Sequence, residues 1–289
     1  MAESYARPEI LVSADWVADH LNDPSVVIVE VNTDLQAGYY QGHAPGAVGW
    51  NLHKDLEHQT RRDIPDILQI EALLGRSGID NSTTIVLYGD GNNRSATWAF
   101  WVLKYYRHRD VRLMNGGRRK WIDEKRITSA TAPNPTPKTY KAGVPDHSLR
   151  ATKEYILSSL RDSSVRLLDT RTPEEYAGLM ASAPGTPQDG VYRNGRIPGA
   201  TLLSWDEGAT EDGTFKPVDE LRRMYEGKGF SPEHEVIPYC RLGVRASYSW
   251  FVLKHLLGYE RVRNYDGSWT EWGNAVGVPI ETDATAGRE

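Results

Sequence analysis

Short runs of valine, isoleucine and leucine recur along this chain, separated by stretches whose apolar residues fall three and four apart. The runs cover Val26 to Val31, Thr84 to Leu87 and Val111 to Leu113, and then Val165 to Leu168, Val236 to Tyr239 and Val262 to Tyr265. Continuous apolar runs of this length suit strands buried on both faces, as in a parallel sheet covered on both sides. Segments such as Pro65 to Leu74 and Pro217 to Tyr225 read as the intervening helices. The alternation predicts an α/β fold with a mainly parallel sheet flanked by helices.

The pattern occurs twice, in the same order. Gly42-His43-Ala44-Pro45-Gly46-Ala47 is matched by Gly195-Arg196-Ile197-Pro198-Gly199-Ala200, Tyr88 by Tyr239, Trp101 by Phe251, Val111 by Val262, and Trp121 by Trp272. Gly195 stands 153 residues after Gly42, and Phe251 stands 150 after Trp101. A fixed period kept through several landmarks identifies a duplicated unit. Between the copies lies Ala132-Pro133-Asn134-Pro135-Thr136-Pro137, with Pro145 beyond it, a stretch that favours extended backbone and cannot continue a helix. The expected division is residues 1–132 for the first domain, 133–147 for a linker and 148–289 for the second domain.

Composition narrows the function classes. The chain has 289 residues, 39% hydrophobic and 25% charged, enough for about two soluble domains. A net charge of −5 supplies no basic field, so nucleic acid and membrane surfaces are not expected as partners. No apolar run approaches the ~20 residues that span a bilayer, and Met1 to Arg7 lacks the apolar centre of a signal peptide. The eight histidines show no metal-ligand spacing, so no metal and no cofactor are expected. Gly89-Asp90-Gly91 resembles the start of a dinucleotide loop, but Arg94 occupies the third glycine position. The tail from Thr282 to Glu289 is expected to lack order.

The sequence holds one cysteine, Cys240, so no disulfide forms within the chain and the cytoplasm is the expected compartment. A lone cysteine is most often a small buried hydrophobe. This one follows the apolar run ending at Tyr239 and precedes a helix marked by Ala246, Trp250, Leu253 and Leu257, which Gly258 could close. Ligands of open α/β sheets collect at the carboxyl ends of strands, where a helix N-terminus favours negative charge. Arg241, Gly243 and Arg245 follow directly, a flank that suits a reactive thiolate. The first copy has Gly89 at the matching position and therefore no thiol.

With these residues in view, the chain resembles the two-domain rhodaneses, the thiosulfate and mercaptopyruvate sulfurtransferases. Val262-Arg263-Asn264-Tyr265-Asp266-Gly267-Ser268-Trp269-Thr270-Glu271-Trp272 looks like the C-terminal signature of that family. Tyr39 to Ala47 is similar to its N-terminal one, departing at Ala44. The resemblance implies two tandem rhodanese-like domains, with catalysis confined to the second. The six residues from Cys240 resemble the family's active loop. Cys240-Arg241 follows the thiosulfate branch, Gly243-Val244 fits both branches, and Leu242 and Arg245 fit neither fully. The C-R-x-G-x-R form resembles a bacterial variant grouped with the thiosulfate enzymes. Glu175 stands where some members carry a substrate arginine, and Tyr248 where a histidine is usual.

On this reading a thiolate at Cys240 takes the sulfane sulfur of thiosulfate and passes it, through a persulfide, to a thiophilic acceptor such as cyanide or a cellular thiol. The alternatives are 3-mercaptopyruvate as donor, or a sulfur carrier that delivers to a thiol on a protein partner. Amides from Arg241, Leu242, Gly243, Val244, Arg245 and Ala246 are expected to line the substrate site, with the two arginines binding a sulfonate. Asp266, Ser268 and Trp269 are expected to hold the loop, and Asp169 and Arg171 to form a buried scaffold pair. A cysteine phosphatase would need an arginine at residue 246, which is Ala246.

Overall fold

The computed structural model describes residues 4–283, which form two compact units. One comprises Arg7–Asp146 and Ala209–Lys216; the other comprises residues 4–6, 147–208 and 217–283. Among the described residues, no helix is long and apolar enough to cross a membrane.

The first unit carries strands β1 (Leu11–Val12), β2 (Val26–Asn32), β3 (Val48–Asn51), β4 (Thr84–Gly89) and β5 (Val111–Met114). They form a parallel sheet in the order β1-β5-β4-β2-β3. Its helices are α1 (Ala14–Asp19), α2 (Leu52–Asp55), α3 (Ile67–Arg76), α4 (Asp90–Tyr105) and α5 (Gly117–Asp123). Val17, Ile28, Val86, Tyr88, Met114 and Trp121 make one of its apolar clusters. The proline-rich stretch after Ala132 runs against this unit, where Lys138 N–H donates to Gly75 C=O at 2.9 Å and Tyr140 stacks on His108. Phe215, from the short inserted segment, is buried here, and its N–H donates to Asn115 Oδ1 at 3.0 Å.

The second unit carries β6 (Val165–Asp169), β7 (Thr201–Leu202) and β8 (Glu235–Tyr239), parallel in the order β7-β6-β8. Helices α6 (Lys153–Ser159), α7 (Pro173–Ala177), α8 (Val218–Gly227), α9 (Val244–Phe251) and α10 (Ser268–Trp272) accompany them. The expected strand from Val262 to Tyr265 does not form as a continuous element. Val262 and Asn264 make only isolated parallel bridges, to Val236 and Arg150. The cause lies in β8. Arg263 N–H reaches Val236 C=O and Tyr265 N–H reaches Pro238 C=O, but the bond that should alternate with these requires an N–H on Pro238, which proline lacks. With those bridges included, the arrangement repeats the strand order of the first unit.

The helix after the cysteine also departs from the simple pattern. α9 passes into a π-turn over Val252–Leu256, which shifts the buried face so that Leu256, rather than Leu257, is fully enclosed. Gly258, at φ +79°, follows, in the left-handed conformation that ends helices. Of the tail, Asp283 pairs with Arg196 at 2.6 Å, and residues 284–289 lie outside the described residues.

Gly195 shows how closely the second unit is packed near its C-terminus. Its φ is +131°, and a Cβ there would stand 2.5 Å from Glu281 C=O and 2.8 Å from Ile280. Gly195→Ala is expected to lower stability by about 1–3 kcal/mol through backbone strain and this clash. Thermal unfolding reads the loss as a lower Tm; an unchanged Tm would contradict this packing.

Candidate active site

Strand β8 ends at Tyr239 and α9 begins at Val244, so Cys240 to Gly243 form a tight turn at the carboxyl edge of the sheet. Gly243 makes the turn with φ +87°, a conformation costly for side-chain-bearing residues. Its N–H donates to Cys240 Sγ at 3.1 Å, and the cysteine is 1% exposed. This is a sulfur at the bottom of a backbone cradle.

The cradle is shaped from outside. Cys240 C=O accepts from Trp269 N–H at 2.9 Å, and Arg241 C=O accepts from Thr270 N–H at 3.0 Å and Thr270 Oγ1 at 2.7 Å. Gly243 C=O accepts from Asn264 Nδ2 at 3.3 Å and from Ser247 N–H at 3.0 Å. In a trans peptide the N–H points opposite the C=O. Drawing these carbonyls toward α10 and Asn264 therefore turns the N–H groups of Arg241, Leu242 and Val244 the other way. The unpaired first-turn amides of α9, Arg245 and Ala246 among them, add their partial positive charge.

Ser268 secures the near side. Its hydroxyl donates to Tyr265 C=O at 2.6 Å and accepts Cys240 N–H at 3.0 Å. The residue is buried with φ +52°, a conformation worth roughly 1–3 kcal/mol of strain in a non-glycine residue, tolerated here because both bonds fix it. Trp269 holds the loop through its backbone and anchors α10 by Nε1–H to Arg193 C=O at 3.0 Å. Asp266 is elsewhere. It forms a two-bond pair with Arg150, at 2.8 and 2.7 Å, and thus ties the segment after β8 to the start of the unit.

Beneath the loop lie charges in pairs. Arg171 and Asp169 are fully buried, joined at 2.7 Å, with Tyr239 Oη donating to Asp169 at 2.7 Å and the Arg171 guanidinium 4.7 Å from the Trp269 ring. Arg245 reaches Glu175 with both terminal nitrogens, at 2.7 and 2.8 Å. Burial opposes the charge on each partner. It pulls Arg245 down, but the Glu175 hydrogen bonds and the charge at Cys240 outweigh it and raise that group. It pushes Glu175 up, but Arg245 outweighs it and holds that carboxylate below its usual range. Both shifts describe one ion pair.

Arg241 is held by the 182–189 segment. Nη1 donates to Ser182 Oγ at 3.0 Å and Nη2 to Asp189 C=O at 2.7 Å. Leu242 stands at the rim, 36% exposed. Sequence reasoning noted Glu175 only as a departure at a substrate-arginine position, and did not single out Ser182, Asn264 or Thr270 as parts of the site. Glu175 had a local signal, because Thr172 and Glu175 form a capping box at the start of α7. Its pairing with a residue seventy positions away had none.

Comparison with known proteins agrees with this architecture. A model of the rhodanese-like domain matches residues 13–124 and again 152–275. The chain is 47% identical over 279 residues to the sulfur carrier protein TtuD of Thermus thermophilus, covering 96% of this chain and 98% of that one. It is 44% identical over 286 residues to a protein of Haloferax volcanii named "Putative thiosulfate sulfurtransferase", covering 97% and 99%. Among solved structures it is similar to the anaerobic ergothioneine biosynthesis enzyme from Chlorobium limicola bound to trimethyl histidine, at 25% identity and TM-score 0.86 over 97% of this chain and 72% of that one. A variant of EanB carrying a cysteine persulfide, with ergothioneine, is similar at 25% identity and TM-score 0.84 over 97% and 72%. With both halves matched and relatives of this identity spanning nearly its whole length, the chain belongs to the rhodanese family of sulfurtransferases, as two rhodanese-like domains in tandem.

Proposed function

We propose that this sulfurtransferase takes the sulfane sulfur of thiosulfate onto Cys240 and hands it to a thiophilic acceptor. The observation that carries the reading is the bond from Gly243 N–H to Cys240 Sγ, in a turn whose carbonyls are drawn outward. A sulfur so placed is stabilised as an anion by backbone dipoles.

The chemistry is a double displacement. The Cys240 thiolate attacks the outer sulfur of thiosulfate. A new S–S bond forms, the bond to the sulfonate sulfur breaks, and its electron pair leaves with sulfite. The enzyme is left as a persulfide anion. A nucleophilic acceptor then attacks the terminal sulfur, and the electron pair of the persulfide bond returns to Cys240 as thiolate. With cyanide the product is thiocyanate; with a thiol it is a persulfide on the acceptor. Charge is conserved in each step. The first unit, with Gly89 in place of the cysteine, takes no part in bond making.

A thiol on a partner protein is the acceptor favoured by the relative named a sulfur carrier. That reading changes the recipient and leaves the persulfide as it is. A cysteine that works as a thiolate is best preserved in a reducing compartment, which favours the cytoplasm on this reading.

Cys240→Ser is expected to abolish thiocyanate formation from thiosulfate and cyanide while leaving the thermal unfolding profile intact. The native protein should give the parallel double-reciprocal lines of a ping-pong scheme. Turnover by the serine variant, or intersecting lines, would contradict the covalent route. The Arg241-bearing loop further predicts a higher kcat/KM with thiosulfate than with 3-mercaptopyruvate, and steady-state assays showing the reverse would reassign the donor.

A further inference from the structure

We infer that Glu175 is a specificity-determining residue, which withholds Arg245 from the donor and so biases the site against donors of high negative charge; this rests on the persulfide reading of Cys240. The two loop arginines look equivalent in sequence, but their surroundings divide them. Arg245 is nearly buried and gives both terminal nitrogens to a fully buried carboxylate. That carboxylate cannot swing aside, because its Oε2 also accepts Thr172 N–H at 3.1 Å and its own backbone N–H is bound to Thr172 Oγ1. The pair takes one N–H from each terminal nitrogen and balances the guanidinium charge, so a sulfonate reaching the remaining donors meets a neutral pair, and breaking the pair would leave an uncompensated buried charge. Arg241 has weaker partners: a hydroxyl, a backbone carbonyl and, 3.6 Å away, the exposed carboxylate of Asp189. An incoming anion can replace these at little cost, so Arg241 is the arginine that meets the donor.

The consequence concerns charge. Asp169 balances Arg171, and Glu175 balances Arg245, so the four groups sum to no net charge below a sulfur that is itself negative. Thiosulfate arrives as a dianion. A thiosulfonate presents the same sulfane sulfur as a monoanion, with a sulfinate as its leaving group, and meets less repulsion. Glu175 therefore favours singly charged sulfane donors over thiosulfate, relative to a site in which Arg245 stands unpaired.

The test compares native protein, Glu175→Gln and the double variant Glu175→Gln/Arg245→Gln, each assayed for kcat and KM with thiosulfate and with methanethiosulfonate at saturating cyanide. Removing the carboxylate should lower the thiosulfate KM by about threefold or more, with a smaller fall for the monoanion, since attraction scales with ligand charge. The double variant contains no unpaired charge and should hold its thiosulfate KM within about twofold of native, as neither group contributes net charge. Because it keeps the site neutral, it carries the test even if the single variant does not fold. A raised thiosulfate KM in either variant would identify Arg245 as a donor ligand and overturn the proposal, as would equal effects on both donors. Native protein that uses neither donor would instead defeat the underlying persulfide reading.

Discussion

The site depends on turning backbone carbonyls away from one sulfur. A four-residue turn between a strand and a helix cannot aim its amides inward unless its carbonyls find partners outside, because each buried carbonyl left unpaired costs about as much as a lost hydrogen bond. Trp269, Thr270 and Asn264 supply those partners, and Ser268 takes the amide of Cys240 itself. These contacts explain why the run from Asn264 to Trp272 carries such specific residue types. Its members bond the peptides of the turn and set their orientation.

The duplication shows what the active copy added. In each unit a tyrosine at the strand end accepts a backbone N–H with its hydroxyl, Tyr88 from Ala44 at 2.9 Å and Tyr239 from Ile197 at 3.2 Å. Each also has a carboxylate one strand away, Glu30 or Asp169, at the matching register position. Beyond that point the two copies separate. After Gly89 the first unit winds through Gly91, Asn92 and Asn93, all left-handed, and Asn93 fills the turn by accepting Gly89 N–H and donating to Met114 C=O. In the second unit the matching groups, Cys240 N–H and Tyr265 C=O, are both bound by the Ser268 hydroxyl, and no side chain from the turn itself fills it. The scaffold is shared, and the two copies differ in the turn.

Much of this was legible in the sequence. Apolar runs marked the strands, the period near 151 marked the twin units, and a cysteine between a strand and a glycine-arginine flank marked the turn. The errors have local physical causes: Pro238 removed one ladder bond and dissolved an expected strand, and the π-turn moved burial from Leu257 to Leu256. What could not be read was pairing over long distances. Arg245 looked like an anion ligand because its nearest sequence neighbours are apolar or cationic, and only folding brings Glu175 to it across seventy residues. Arg241 is likewise held by the 182–189 segment, which no local pattern announces. Asp266, grouped with Ser268 by proximity in the chain, faces Arg150 instead.

The central claim is that Cys240 stores a transferable sulfur. Intact-mass analysis after incubation with thiosulfate, followed by peptide mapping, tests it without any acceptor. The account predicts a species one sulfur atom heavier, with the added mass on the peptide containing Cys240 and its loss on treatment with cyanide. An unchanged mass, or added mass on any other peptide, would contradict it.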